Sequence, residues 1–251
     1  MSFNITLISC YELGHQPLSL AWPWAKFKQA KLDAAGYDIS IKDFPAEAII
    51  KSDMIAISVP MHTALRLGVQ AAIQIREINP SAHIIFYGLY AWLNREFLLA
   101  EFADSIIGGE YEDGLVQMAI ALKNNTSLDQ VEGITTLSSK SHPNLPRQSF
   151  LTPERTTLPP LEDYAHYTHL GEHHINGYVE ASRGCLHTCQ HCPVVPIYNG
   201  RFFVVPFETV MADIRQQVLA GAKHITFGDP DFLNGPGHAL KIIRQLHQEF
   251  P

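Results

Sequence analysis

The sequence has little of the basic charge and none of the long apolar runs that two large classes of protein need. Its 251 residues carry 18 Lys and Arg against 25 Asp and Glu, for a formal net charge of −7. A protein that tracks nucleic-acid phosphates needs a basic face, so this balance argues against a nucleic-acid partner. No stretch approaches the ~18 consecutive apolar residues of a membrane helix, and the first nine residues lack the basic start of a targeting peptide. We therefore expect a cytoplasmic protein with no membrane partner.

Cysteine is also scarce, and the four cysteines are unevenly placed. Cys10 stands alone, whereas Cys185, Cys189 and Cys192 lie within eight residues. Scattered pairs are typical of disulfides in secreted proteins, while a tight triplet in a cytoplasmic chain indicates a metal or cluster site. We expect Cys10, at the end of the first predicted strand, to be a small buried residue.

The first 125 residues alternate between strand and helix patterns. Strands are predicted over 3–8, 37–42, 54–59, 83–87 and 105–107, and helices over 24–35, 64–78, 94–102 and 115–123. This repetition predicts an α/β fold with a doubly wound, mostly parallel sheet. Residues 1–125 are accordingly assigned to a Rossmann-like domain.

The amino-acid composition changes after this domain and changes again near residue 177. Residues 126–176 are rich in Pro, Ser and Thr and are predicted to form a linker. From 177 onward a second rhythm predicts strands over 178–182 and 224–227 and helices over 207–219 and 238–250. Two β-α units neither close a barrel nor cover a sheet edge, so residues 177–251 are expected to begin a larger, truncated domain.

The cysteine triplet has the spacing CxxxCxxC and directly follows a predicted strand. Three thiolates from one loop can hold three irons of a [4Fe–4S] cluster and leave the fourth iron open. The open iron can chelate S-adenosylmethionine (SAM), which an electron from the cluster cleaves to a 5′-deoxyadenosyl radical. The alternative is a zinc site that uses the cysteines with His187 or His191, although zinc sites usually show a second, separate ligand pair. The corresponding alternative function is a non-catalytic iron–sulfur or zinc module that senses redox state or metal.

The stretch 180–251, with Ser-Arg-Gly-Cys at 182–185, resembles the start of the partial (β/α)6 barrel of the radical SAM superfamily. That resemblance implies that Cys185, Cys189 and Cys192 hold the cluster on the loop after the first barrel strand. It also implies that the flat ring of His191, just before the third cysteine, approaches the adenine of SAM. For Arg183 it leaves two roles open, a contact with SAM or the cluster and a salt bridge in the barrel wall.

The segment 227–232 occupies the place of the family's Gly-Gly-Glu-like segment after the second barrel strand. The resemblance therefore implies that Gly228, Asp229 and Asp231 contact SAM, with a carboxylate near its ammonium group. A tight turn is the alternative interpretation, because Asp-Pro-Asp followed by Asn-Gly also suits turns.

The order of the two domains resembles the cobalamin-binding class of the same superfamily. Segments 13–20, 59–63 and 108–112 follow predicted strands, where open α/β sheets usually bind ligands. The class's Asp-x-His-x-x-Gly motif is absent. The resemblance therefore leaves two alternatives, cobalamin bound without a histidine ligand and the fold kept without the cofactor. The aromatic residues of 87–92 would cover a corrin face in the first case and pack the domain in the second.

Segments 11–17, 182–185, 191–196 and 227–231 together resemble a narrower group, the radical SAM proteins with a Cys/Sec-Cys-Ala-Glu-Pro-type tail. The chain would be the N-terminal part of such a protein, because no tail of that type occurs in it. The resemblance implies an enzyme that takes electrons from a flavodoxin or ferredoxin and acts on a small molecule or peptide. The reactions of this class include methyl transfer, radical rearrangement and ring closure. If activity needs the whole barrel, the chain alone would be an inactive fragment.

Overall fold

A computed structural model describes residues 3–251 of the chain. The first sheet has six strands, in the order β2-β1-β3-β4-β5-β6. Its strands are β1 (Ile5–Ser9), β2 (Ala34–Asp38), β3 (Met54–Ser58), β4 (His83–Tyr87), β5 (Ser105–Ile107) and β6 (Ile134–Thr135). All neighbouring pairs are parallel except β5 and β6. The order reverses between β1 and β3, and open sheets of this type bind ligands outside the carboxyl ends of the strands at such a point.

Helices cover this sheet on both faces. They are α1 (Leu18–Gln29), α2 (Ala46–Lys51), α3 (His62–Ile78), α4 (Leu89–Leu93), α5 (Arg95–Glu101) and α6 (Glu112–Lys123). Alternate residues of β3 enter two separate hydrophobic clusters, with Ile55 and Ile57 in one and Met54 and Ala56 in the other. Because successive side chains of a strand point to opposite faces, the sheet is buried on both sides. The predicted doubly wound α/β fold is confirmed.

Helix α1 corrects the predicted helix over 24–35, which was wrong in its start and its end. The helix begins at Leu18 and contains Pro23, which has no N–H to bond the carbonyl of Ser19 four residues earlier. The buried hydroxyl of Tyr87 donates to that carbonyl at 2.8 Å and so replaces the missing donor. A partner distant in sequence therefore stabilises a helix that its local pattern argues against.

The strand predicted over 37–42 was wrong by about three residues, because β2 spans Ala34–Asp38. Gly36, the residue that follows the predicted helix over 24–35, instead lies inside β2 against the ring of Trp24. A Cβ at this position would lie 2.9 Å from Cζ3 of that ring. The glycine therefore serves close packing of a helix on a strand.

The region from residue 159 onward contains two small sheets. Strands β7 (His166–His169), β8 (Glu172–Val179) and β11 (His224–Phe227) form one, in which β8 and β11 are parallel, and β9 (Ser182–Gly184) pairs antiparallel with β10 (Phe202–Val204) in the other. Its helices are α7 (Val195–Tyr198), α8 (Phe207–Leu219) and α9 (Pro236–Glu249). The helix predicted over 207–219 and the strand predicted over 224–227 are confirmed.

The strand predicted over 178–182 was wrong as a single element. Strand β8 ends at Val179, and β9 starts at Ser182 with a different partner. The segment predicted as a linker contains β6, β7 and the first part of β8. Residues 3–13, 19–146 and 154–158 form the first compact unit, and residues 14–18, 147–153 and 159–251 form the second. Among residues 3–251 no helix is both long and apolar enough to cross a membrane.

Candidate metal centre and ligand-binding loops

The loop that carries the three cysteines begins at a glycine for which no other residue can substitute without strain. Gly184 has φ +71°, and a Cβ on it would lie 2.2 Å from the carbonyl oxygen of Arg201. That approach is part of the antiparallel pairing of β9 with β10, in which Gly184 faces Phe202. Residues 185–192, which we call the cysteine loop, follow directly on β9. A close backbone contact at Gly184 sets the position of the end of this strand.

The three thiols are free and accessible. Cys189 is exposed, Cys185 and Cys192 are half-buried, and none forms a disulfide. The loop turns between its last two cysteines, where the N–H of Cys192 donates to the carbonyl of Cys189 at 3.3 Å. Within residues 3–251, no three His, Cys, Asp or Glu side chains are arranged closely enough to hold a metal ion. The donor set fits a cluster by its chemistry, since three thiols without disulfide partners lie on one short loop.

The loop after β11 contacts the cysteine loop at two points. The backbone N–H of Leu186 donates to Oδ1 of Asn234 at 2.6 Å. Nε2 of His187 lies 3.5 Å from Oδ2 of Asp231. Asp231 also caps a 3-10 helix, Phe232–Asn234, by accepting from the N–H of Leu233 at 3.1 Å. The carboxylate that was predicted to contact SAM thus lies next to the cysteine loop and shapes its own turn.

Asp229 reaches back to the break between β8 and β9. Its carboxylate accepts from the N–H of Ala181 at 3.1 Å and from the hydroxyl of Ser182. Burial raises the pKa of Asp229 above its ordinary value, and the hydrogen bonds from Ser182 and Ala181 oppose that rise. The side chain therefore joins the end of β11 to the strand that leads into the cysteine loop.

Gly228 makes room for an aromatic ring. A Cβ on Gly228 would lie 2.2 Å from the hydroxyl oxygen of Tyr178. The ring of Tyr178 stacks on His15, with centroids 4.4 Å apart and planes 5° from parallel. Burial lowers the pKa of His15, and its Nδ1 is buried without a hydrogen-bond partner. Neither the stack nor the role of His15 in it could be inferred from the sequence, because the two residues are far apart along the chain.

The two other predicted SAM contacts occupy different environments. Arg183 is 5% exposed, donates from Nε to Glu180 at 2.8 Å and lies over the ring of Phe150. Arg183 therefore pairs with a carboxylate three residues earlier in the chain. His191 is exposed on the cysteine loop.

The glycines at the carboxyl edge of the first sheet are covered by the chain itself. A Cβ on Gly108 would lie 2.5 Å from Cδ1 of Trp92, and one on Gly109 would lie 2.2 Å from the carbonyl oxygen of Asn144. The guanidinium of Arg95 lies 4.2 Å from the centre of the Trp92 ring. Trp92 therefore packs the domain, as in one of the two roles considered for the aromatic residues of 87–92.

The same edge holds buried groups with perturbed acidity. Burial and the nearby Asp38 raise the pKa of the Cys10 thiol to about 12. Burial, with help from the charge of Glu12, also raises the pKa of Tyr87 well above its ordinary value. Cys10 is 2% exposed, which confirms its prediction as a small buried residue.

Comparison with solved structures shows what this fold resembles. The structure of TsrM, a radical S-adenosylmethionine methyltransferase from Kitasatospora setae with cobalamin and a [4Fe–4S] cluster bound, matches with a TM-score of 0.75 at 14% identity. The match covers 99% of this chain and 51% of TsrM. The same enzyme with tryptophan substrate and a SAM analogue matches with a TM-score of 0.73, also at 14% identity over 99% of this chain and 51% of TsrM.

The cobalamin-dependent S-adenosylmethionine radical enzyme OxsB, with aqua-cobalamin and SAM bound, matches with a TM-score of 0.69 at 17% identity. This match covers 98% of the chain and 37% of OxsB. The chain thus spans about half of one neighbour and just over a third of the other. No protein-family model and no curated protein sequence matches the chain.

These matches define the class of fold. The chain has an α/β fold that matches part of TsrM and part of OxsB. The resemblance inferred from the residues is confirmed at the level of fold.

The sequence missed Asn234, which was assigned only to a turn. Its signal was the spacing Asp231-x-x-Asn234, in which an aspartate that caps a short helix places an amide one turn later. That the amide contacts the cysteine loop depends on tertiary structure alone.

Proposed function

We propose that the chain is the N-terminal part of a radical SAM enzyme, in which Cys185, Cys189 and Cys192 ligate a [4Fe–4S] cluster. The observation that supports this most directly is the coincidence of motif and fold. A CxxxCxxC triplet directly follows β9 in a chain whose fold matches radical SAM enzymes over 99% of its length. Neither the triplet nor the fold alone would carry the proposal, since zinc also uses cysteine and folds host unrelated functions.

When bound, the reduced cluster supplies the electron that cleaves SAM to a 5′-deoxyadenosyl radical. The chain's own residues bind and orient. The close approach of Gly184 to Arg201 fixes the point at which the cysteine loop leaves β9. Asp229, which follows β11, accepts a hydrogen bond from the N–H of Ala181, next to the start of β9. Asp231, which lies 3.5 Å from His187 of the cysteine loop, and His191, exposed on that loop, are the candidates for contact with the amino-acid and adenine parts of SAM. A flavodoxin or ferredoxin is the proposed electron donor, and a small molecule or peptide the proposed substrate.

Anaerobic reconstitution with iron and sulfide tests the cluster. About four irons per chain and an EPR signal after reduction are expected, and each of Cys185→Ala, Cys189→Ala and Cys192→Ala should abolish them. Cys10→Ala is the matched control and should take up iron like the unchanged chain, because Cys10 is buried in the first unit. Release of 5′-deoxyadenosine on addition of SAM and reductant would support the enzyme. A colourless chain that takes up zinc in preference to iron would support the sensing module instead.

Cobalamin fits the first unit less well than the cluster fits the cysteine loop. The two glycines of the 108–109 segment are filled by Trp92 and Asn144, so they form no open cradle for a ligand. His62, exposed at the start of α3, is the histidine that follows β3 at this edge. We therefore assign no chemical step to cobalamin and propose that this fold is retained here as a scaffold. A corrinoid that binds the chain with submicromolar affinity, and loses that affinity in Trp92→Ala but not in His62→Ala, would overturn this assignment.

A further inference from the structure

We propose that Asn234 is a positioning residue for the cysteine loop, which it holds in place from the neighbouring barrel strand. The inference rests on the proposed function for its cluster, while the contact itself is a feature of the chain without iron. The side-chain carbonyl of Asn234 accepts from the backbone N–H of Leu186, one residue after Cys185, at 2.6 Å. A side chain that follows β11 thereby fixes the backbone of the loop that follows β9.

The orientation of Asn234 is itself set by Asp231. The amide nitrogen of Asn234 donates to a carboxylate oxygen of Asp231, and the backbone N–H of Asn234 donates to the carbonyl of Asp231 at 3.1 Å. A carboxylate can only accept, so it takes the NH2 end of the amide and leaves the oxygen directed at Leu186. Asp231 in turn is fixed by its capping bond to Leu233. The acceptor-only chemistry of Asp231 therefore determines which end of the Asn234 amide faces Leu186.

This contact matters because the rest of the cysteine loop is open to solvent. Residues 186–191 are exposed, and the pairing of β9 with β10 fixes the chain only up to Gly184. A loop without such a tie would sample many conformations, and ligands that converge on a cluster would lose that entropy on binding. A hydrogen bond at the first residue after Cys185 reduces that loss by ordering the loop before iron arrives.

The test compares Asn234→Ala with the unchanged chain in two measurements. The first is hydrogen–deuterium exchange in the iron-free chain, resolved at the Leu186 amide. Loss of a hydrogen bond at an exposed site should accelerate exchange there about two- to tenfold. The second is the rate at which a chelator removes iron from the reconstituted chain, which should rise by a similar factor. Leu233→Ala is the matched control, because this side chain is 67% exposed in the same 3-10 helix, and it should change neither rate.

The outcomes separate this inference from the proposed function. Unchanged exchange at Leu186 in Asn234→Ala would overturn the inference whether or not the chain binds iron. Faster exchange with an unchanged rate of iron release would also overturn it, because the contact would then order the loop without positioning ligands. If the unchanged chain takes up no iron, the proposed cluster fails, and a positioning role for its ligands fails with it, even where exchange at Leu186 responds. A second variant, Asn234→Asp, tests the role of Asp231. It keeps an acceptor oxygen but places a second carboxylate beside Asp231, so it should also accelerate exchange at the Leu186 amide. If Asn234→Asp exchanges like the unchanged chain, the role given to Asp231 is wrong.

Discussion

Replacement of Gly184 by alanine should destabilise the second unit more than any other Gly→Ala change tested there. Two costs act together at this position. A residue with a Cβ at φ +71° destabilises the fold by about 1–2 kcal/mol relative to the same residue in an ordinary backbone conformation. The new Cβ would also lie 2.2 Å from the backbone carbonyl of Arg201, and forced overlap of that kind typically costs about 1–3 kcal/mol. The expected loss in the free energy of unfolding is therefore about 2–5 kcal/mol.

Two other glycines of the same unit separate these costs. Gly171 has φ +83° with no atom within 4 Å of a built Cβ, so Gly171→Ala should show the conformational cost alone, about 1–2 kcal/mol. Gly237 has neither feature and lies in the first turn of α9, so Gly237→Ala should stabilise by up to about 1 kcal/mol. All three variants add the same single methyl group.

The measurement has to follow the second unit by itself. The three tryptophans, Trp22, Trp24 and Trp92, belong to the first unit and report its unfolding. Hydrogen exchange of peptides from α8 against urea concentration reports the second. With a slope of roughly 2 kcal/mol per molar urea, the Gly184→Ala midpoint should fall by about 1–2.5 M. Equal losses in Gly184→Ala and Gly171→Ala would refute the reasoning, because the contact with Arg201 would then cost nothing.

Three further predictions follow from buried groups. Tyr87→Phe removes the donor to the Ser19 carbonyl and should lower the stability of the first unit by about 1–3 kcal/mol in urea titrations followed by tryptophan fluorescence; no loss would mean that water replaces the hydroxyl. Because burial raises the native pKa of Asp229, the native state binds its proton more tightly than the unfolded state, so stability of the second unit should fall as pH rises from 3.8 through the raised pKa. Asp229→Asn should remove this slope, and an unchanged slope would assign it to another group. Iodoacetamide should modify the metal-free cysteine loop at neutral pH while Cys10, whose pKa is about 12, reacts only on unfolding; equal labelling by mass spectrometry would contradict its burial.

The sequence determined the class of fold because its hydrophobic periods are strong and local. The run 54–59 and the helix pattern 207–219 each carry enough apolar residues at one period to identify their elements without tertiary information. The spacing of Cys185, Cys189 and Cys192 likewise singles out one loop as a candidate site, since three thiols so close together have few structural uses.

The sequence could not place α1, because the helix depends on a partner 64 residues beyond Pro23. The proline removes a local donor, and only the hydroxyl of Tyr87 compensates for it in the folded chain. Local propensity therefore argued for a helix that began after the proline. The shift of β2 follows from the same error, because the predicted helix extended to residue 35, whereas α1 already ends at Gln29.

The immediate surroundings of the candidate site were decided by tertiary structure alone. The residue types of 227–234 favoured a SAM contact and a tight turn equally well from the sequence, because aspartate, glycine and asparagine serve both. In the folded chain Asp229 bonds to the start of β9, and Asn234 bonds to the residue after Cys185. A motif shows which side chains are available for chemistry, but hydrogen bonds between loops distant in sequence exist only once the strands β8 and β11 pair and bring their ends together.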